Sequence, residues 1–78
     1  MYVIITNNIA SYVGNKFNIA GKGSYYNHFT SEIKEAKTFN TGTEADNFAK
    51  QIIEFAQNTL NENLFNKIIS YRVISVKN

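Results

Sequence analysis

The stretch TEADNFAKQIIEFAQNTL, residues 43–60, decides the fold class of this 78-residue chain. Its apolar side chains recur at three- and four-residue spacing, the pattern of a helix with one buried stripe. The stripe comprises Ala45, Phe48, Ala49, Ile52, Ala56 and Leu60, with Ile53 and Phe55 on its flanks. Thr43 can serve as the N-cap, and Glu44 and Asp46 suit the positive end of the helix dipole. We therefore predict a helix from Thr43 to Leu60.

Extended segments flank this helix on both sides. Tyr2–Thr6 is rich in β-branched and aromatic residues, and the Asn7-Asn8 pair that follows is a turn signal. Ile9–Val13 then predicts the return strand of a hairpin. Near the other end of the chain, Lys67–Lys77 predicts a further strand, with Tyr71 and Val73 on one face and Arg72 on a more solvated one.

These segments predict one small α+β domain over residues 1–78. We expect a three- to four-stranded, mostly antiparallel sheet with the main helix packed on one face. The expected core comprises Val3, Ile5, Phe39, Phe48, Ala49, Ile52, Ala56, Leu60, Tyr71 and Val73. A domain of this size buries only about 60% of its unfolded surface, which leaves little room for a deep substrate cavity.

The region between hairpin and helix is harder to interpret. Lys16–Phe29 fits either a third strand with a flexible lead-in or an ordered loop whose rings pack back on the sheet. Thr30–Ala36 begins with helix-capping residues and predicts about two helical turns. Thr38-Phe39 is a brief extended piece that can pair at a sheet edge.

The composition argues against several kinds of catalytic site. The chain has no Cys, which excludes disulfides, thiolate nucleophiles and Cys-ligated zinc. His28 is the only histidine, and no motif places a nucleophile beside it. The acidic residues lack calcium-loop spacing, and Gly21-Lys22-Gly23-Ser24 lacks the first glycine and the helix start of a phosphate-binding loop. We expect no cofactor, no metal site and no enzymatic activity.

Location and solubility follow from equally simple features. No segment approaches the roughly 20 apolar residues that span a bilayer, and no basic segment precedes the short apolar start. We expect a soluble, cytoplasmic protein without a membrane partner. The many Asn and Lys residues, which share AT-rich codons, favour a low-GC bacterial host.

Large aromatic and cationic side chains that the core does not require are the candidates for partner contacts. The predicted contact residues are Lys22, Tyr25, Tyr26 and His28, with Arg72 on the open sheet face as a secondary candidate. The competing interpretation is that one or both tyrosines close the core. Cations interleaved with rings in segment 16–29 also suit a single-stranded nucleic acid, the alternative partner. A homodimer is compatible with the sequence.

Residues 1–56 carry a resemblance. Tyr2-Val3-Ile4-Ile5, a turn, Ser11-Tyr12-Val13-Gly14, then Glu35-Ala36-Lys37-Thr38-Phe39 leading into Glu44-Ala45 resembles small uncharacterised accessory proteins of Firmicute phages and prophages. Such genes often encode stoichiometric inhibitors of host enzymes, including anti-CRISPR and other anti-defence proteins. The resemblance implies a host protein or ribonucleoprotein as the target. It assigns no functional residue.

Overall fold

The amphipathic stretch forms helix α1, which spans Gly42–Asn58 in the computed structural model. The structure describes residues 1–6, 11–21 and 23–77. In chain order the elements are β1 (Tyr2–Ile5), β2 (Tyr12–Val13), β3 (Asn18–Gly21), β4 (Ser24–Tyr26), β5 (Phe29–Thr30), a 3-10 turn (Ile33–Glu35), α1, α2 (Glu62–Ile68) and β6 (Arg72–Ser75). The predicted Asn7-Asn8 turn and the start of its return strand lie outside the described residues.

Helix α1 begins at Gly42, one residue before the predicted Thr43, because Thr41 and not Thr43 is its N-cap. The Thr41 hydroxyl accepts from the Glu44 N–H at 3.1 Å, and the Glu44 carboxylate accepts from the Thr41 N–H at 3.2 Å. This reciprocal capping box satisfies two backbone donors that would otherwise lack partners.

The four-stranded sheet has the order β5-β2-β1-β6, and every neighbouring pair is antiparallel. Helix α1 packs across β1 and β6. The predicted α+β class, with a mostly antiparallel sheet and one main helix on one face, is confirmed.

The register assigns a face to each strand residue, because directly opposed side chains share a face. Ile4 lies opposite Val73, and both belong to the core beneath α1. Val3 lies opposite Ile74, and Ile5 lies opposite both Tyr12 and Arg72. These residues form the other side of the sheet, which we call the open face. Val3 is fully buried there, as predicted, but none of these residues belongs to the main core cluster. Arg72 is exposed there, as predicted.

The predicted strand Lys67–Lys77 is too long. Residues 67 and 68 end helix α2, and the strand begins only at Arg72. The Asn61 side chain accepts from the Leu64 N–H at 3.1 Å and starts this second helix. Leu64 and Ile68, one turn apart on α2, are both fully buried, and this packing overrides the β-branched character of the sequence.

Segment 16–29 contains a separate hairpin, and only its last residue, Phe29, belongs to a strand of the main sheet, β5. Strands β3 and β4 pair with each other as a separate two-stranded sheet. Phe17, just before β3, is fully buried and packs its ring against Phe29 and Phe48 at 5.6 and 6.1 Å between centroids. The expectation that rings of this segment pack inward is met by Phe17, by Tyr25 on the hairpin and by Phe29.

The connection to α1 fills the gap where β1 and β2 diverge. Ala36 bridges Gly14, and Phe39 exchanges two backbone hydrogen bonds with Tyr2 at 2.9 Å each. The helical part of this connection is a single 3-10 turn, shorter than the two turns predicted. Phe39 pairs with an inner strand, and the predicted extended piece is present.

Candidate functional site

Tyr25 is a core residue. Its ring lies 5.6 Å from the Phe17 ring and 5.5 Å from the Phe55 ring, between centroids. Its hydroxyl meets the Asn61 side-chain amide at 3.5 Å. The side chain therefore ties the β3–β4 hairpin to α1 and to the start of α2, which fits the alternative interpretation of a core tyrosine.

Tyr26 has the opposite orientation. It faces away from Tyr25, as alternation along β4 requires, and is 61% exposed. Its neighbour in the predicted contact set, Lys22, lies outside the described residues. Gly21 and Gly23, on either side of that position, have φ angles of +83° and +81°, so the hairpin turn uses a backbone conformation that glycine adopts without strain.

His28 is anchored within the fold. Its Nδ1 accepts from the Lys16 N–H at 3.1 Å, so the ring proton sits on Nε2 in the neutral form. Nε2 lies 3.9 Å from a Glu35 carboxylate oxygen, and the side chain is 18% exposed. The ring also covers Gly14, where a Cβ would lie 2.1 Å from Nδ1. These contacts indicate that His28 holds the end of β2 in place.

Arg72 lies apart from these residues. It is on β6, at one edge of the sheet, whereas His28 immediately precedes β5 at the other edge. Three strand spacings of about 4.8 Å separate those edges. The predicted contact residues that the structure describes therefore do not form one compact site.

One polar pair stands out beneath β6. The Tyr71 hydroxyl donates to the Asp46 carboxylate, and Lys50 lies 3.0 Å from the other Asp46 oxygen. The hydrogen bond from Tyr71, and after it Lys50, hold the pKa of Asp46 below its usual value of 3.8. Burial, and after it Asp46, raise the pKa of Tyr71 to about 12. This pair fixes α1 on β6.

The junction of α1 and α2 carries the most exposed large apolar side chain in the described residues, Leu60. We call residues 56–65 the helix corner. Leu60 was predicted to be in the core, but it is 87% exposed and has a φ of +55°. The Leu60 N–H donates to the Gln57 carbonyl at 3.2 Å, and the Asn61 N–H donates to the Ala56 carbonyl at 2.9 Å. These two bonds define a Schellman cap with leucine at the position that usually holds glycine.

Leu60 stands between two open clefts. One has a volume of about 240 Å³ and a mostly apolar wall formed by Ala56, Leu60 and Phe65 with polar neighbours at its rim. The other, of about 490 Å³, is polar and is bounded by Gly23 of the β3–β4 turn and by residues 59–63. The helix corner therefore presents an exposed apolar side chain flanked by hydrogen-bonding groups.

The helical spacing of Leu60 led to its assignment to the core stripe, and one signal argued against this. Asn58, Asn61 and Asn63 cluster around it, and such residues are frequent where helices end and begin. A helix that ends at Asn58 rotates the next side chains out of the stripe. These asparagines in the sequence therefore indicate a helix that ends before Leu60.

Residues 1–6, 11–21 and 23–77 contain no group of three or more His, Cys, Asp or Glu side chains arranged to hold a metal ion. None of their helices is long and apolar enough to cross a membrane.

Comparison of the chain with protein-family models, with curated proteins and with solved structures gives no match.

Proposed function

We propose that this protein acts by stoichiometric binding to a host protein, which it inhibits, and that the helix corner is part of its contact surface. The proposed target is a component of an anti-phage defence system, such as a CRISPR–Cas effector, as the resemblance to phage accessory proteins implies. The protein does this without catalysis.

The observation that carries the proposal is the conformation of Leu60. A leucine with φ of +55° costs roughly 1–2 kcal/mol relative to an ordinary helical conformation, and glycine at this position would avoid that cost. The side chain gains no burial in return, since it is 87% exposed. Backbone strain of this kind is concentrated at ligand-binding and switch sites, so a strained and exposed Leu60 supports a role as a contact residue.

Packing of the rings weakens the alternative of single-stranded nucleic-acid binding. Base stacking needs aromatic faces open to solvent. In segment 16–29, Phe17 is fully buried, and Tyr25 and Phe29 pack against its ring. Tyr26 remains exposed. A single exposed ring can stack on one base only, whereas single-strand binders stack successive bases on several rings.

A capture experiment tests the proposal. Wild-type protein, Leu60→Ala and Tyr26→Ala are immobilised and exposed to lysate of a low-GC bacterium with an active CRISPR–Cas system, and bound proteins are identified by mass spectrometry. Leu60→Ala removes the apolar side chain but keeps a non-glycine residue in the cap. We expect wild type to retain a defence protein and Leu60→Ala to lose about 10-fold or more of it, as for an interface hot spot.

Functional assays then follow. The purified target should lose activity as the protein is added, with saturation at one copy per target. Equal capture by wild type and Leu60→Ala would remove the helix corner from the interface. A shift of a labelled single-stranded oligonucleotide, lost steeply between about 50 and 200 mM salt, would favour the nucleic-acid alternative. Turnover of a substrate by the purified protein would overturn the proposal.

A further inference from the structure

Strand β6 is the last strand of the sheet, and in the described part of the chain its outer edge pairs with nothing. The burial of the side chains also indicates that β6 is an edge strand. Val3 and Ile4 on the inner strand β1 are fully buried, whereas Ile74 and Val73 directly opposite them are half-buried. A free edge presents a row of backbone donors and acceptors, and β6 has no proline to interrupt it.

The hydrogen-bond pattern identifies which groups face outward. Both backbone groups of Tyr2 bond to Phe39, so they point away from β6. Because antiparallel ladders alternate, Val3 and Ile5 then bond to Ile74 and Arg72. The Val76 N–H donates to the Met1 carbonyl at 2.8 Å, which continues the alternation. The N–H and C=O groups of Val73 and Ser75 therefore point to the free edge.

We propose that β6 pairs antiparallel with β6 of a second copy of this chain, around a two-fold axis at Ile74. In this register Val73 of each copy lies opposite Ser75 of the other. The outward groups of these residues then form four inter-chain hydrogen bonds and join the two sheets into one sheet of eight strands. Opposed residues keep the same face, as a continuous sheet requires.

The edge is complementary to itself in this register. Ile74 meets the second copy's Ile74 on the open face, which extends the apolar row that Val3 begins. Arg72 lies opposite Val76, so no cation faces a cation. Lys77 lies opposite Tyr71, whose hydroxyl donates to Asp46, and this brings a cation toward an acidic group at each end of the pairing.

A register centred on Val73 is less favourable. It would place Ser75 opposite Tyr71, and the Tyr71 N–H already donates to the Ile68 carbonyl at 3.1 Å. In that register the Ser75 carbonyl of each copy, within β6, lacks a donor, whereas in the register centred on Ile74 the same shortage falls on the Lys77 carbonyl, past the end of the strand.

The molar mass of the protein in solution tests this dimer. Light scattering after size exclusion, from about 10 µM to about 1 mM, should show a rise from 8.9 kDa toward twice that mass. Ser75→Pro removes an outward N–H but leaves the bonds of β6 to β1, and it should weaken dimerisation by about 10-fold or more. Ser75→Ala keeps that N–H and should dimerise like wild type. Circular dichroism melting checks that each variant is folded.

A charge exchange tests the register without proline. Ile74→Lys and Ile74→Glu each oppose like charges at the two-fold axis and should be monomeric alone, whereas their mixture should form a heterodimer. Wild type that stays at 8.9 kDa throughout the range would overturn the proposal. So would a folded Ser75→Pro that dimerises like Ser75→Ala, or a mixture that stays monomeric. The defence-protein capture is measured separately, so either proposal can fail alone.

Discussion

At the scale of single residues, Gly14 and His28 form an interlocking pair. A Cβ at position 14 would lie 2.1 Å from His28 Nδ1, so Gly14→Ala must displace the ring and break its bond to the Lys16 N–H. We expect a loss of about 1–3 kcal/mol in the free energy of unfolding. In a His28→Ala background the same substitution should cost less than about 0.5 kcal/mol, since the obstacle is gone. Urea denaturation of the four proteins measures this cycle, and an equal cost in both backgrounds would refute the contact.

The left-handed cap at Leu60 gives a second prediction at this scale. Leu60→Gly relieves the strain of a φ of +55° and should raise the free energy of unfolding by about 0.5–1 kcal/mol. Leu60→Ala keeps a Cβ at this φ and should leave stability near that of wild type. Chemical denaturation compares the three proteins. A Leu60→Gly variant that is less stable than Leu60→Ala would mean that the side chain stabilises the corner, contrary to its exposure.

At the scale of elements, the start of α1 depends on Thr41 and not on Thr43. Thr41→Ala removes the hydroxyl that accepts from the Glu44 N–H, and it should cost about 1 kcal/mol. Thr43→Ala is the matched control, since Thr43 is exposed within the first turn, and it should change stability by less than about 0.5 kcal/mol. Thermal melts of both variants decide between the two caps, and a larger loss from Thr43→Ala would reassign the N-cap.

The contact between α1 and β6 predicts a two-sided pH dependence. Since the pKa of Asp46 is lowered in the folded state, its contribution to stability is present above its usual value of 3.8 and is lost as pH falls through the lowered value. Since the pKa of Tyr71 is raised to about 12 from 10.0, its contribution is complete below pH 10.0 and is lost as pH rises toward 12.

Tyr71→Phe should therefore make the melting temperature less dependent on pH in both ranges. Tyr26→Phe removes an exposed hydroxyl and serves as the control. Its melting temperature should depend on pH as that of wild type does, in both the acid and the alkaline range. Melting curves from about pH 2 to about pH 12 measure the effect. If the melting temperatures of wild type and Tyr71→Phe change identically with pH in both the acid and the alkaline range, the pair contributes nothing to stability.

At the scale of the whole molecule, Tyr25 joins parts that are distant in the chain. Its ring packs on Phe17 and on Phe55 of α1, and its hydroxyl accepts from Asn61 at the start of α2, so its loss should loosen the hairpin from both helices. We expect Tyr25→Ala to lower the free energy of unfolding by about 2–3 kcal/mol and Tyr26→Ala to change it by less than about 0.5 kcal/mol. Calorimetry should show one cooperative transition for each variant. Equal melting temperatures for the two would contradict the assignment of Tyr25 to the core.

The class of the fold and the position of α1 were predictable because both depend on local order. An apolar period of 3.6 residues specifies a helix with one buried side wherever it occurs, and Ala45, Ala49, Ile52 and Ala56 are indeed buried beneath it. Strand β1 and the described part of its return strand, Tyr12–Val13, were predictable from β-branched and aromatic runs. The partner-contact residues were less predictable from the sequence. Tyr25 and Tyr26 are identical neighbours in the sequence, and only the pairing of β4 with β3 decides which one faces the helix.

The sequence by itself determined the α+β class, the main helix and the strand character of β1 and β6, because periodicity and propensity are properties of short segments. Only the tertiary structure decided that residues 62–68 form a helix and that His28 covers Gly14. It also decided that β6 lies at an edge, with the backbone N–H and C=O groups of Val73 and Ser75 pointing away from β1. Those features depend on contacts between residues far apart in the chain, and a local pattern does not contain the partner that completes each contact.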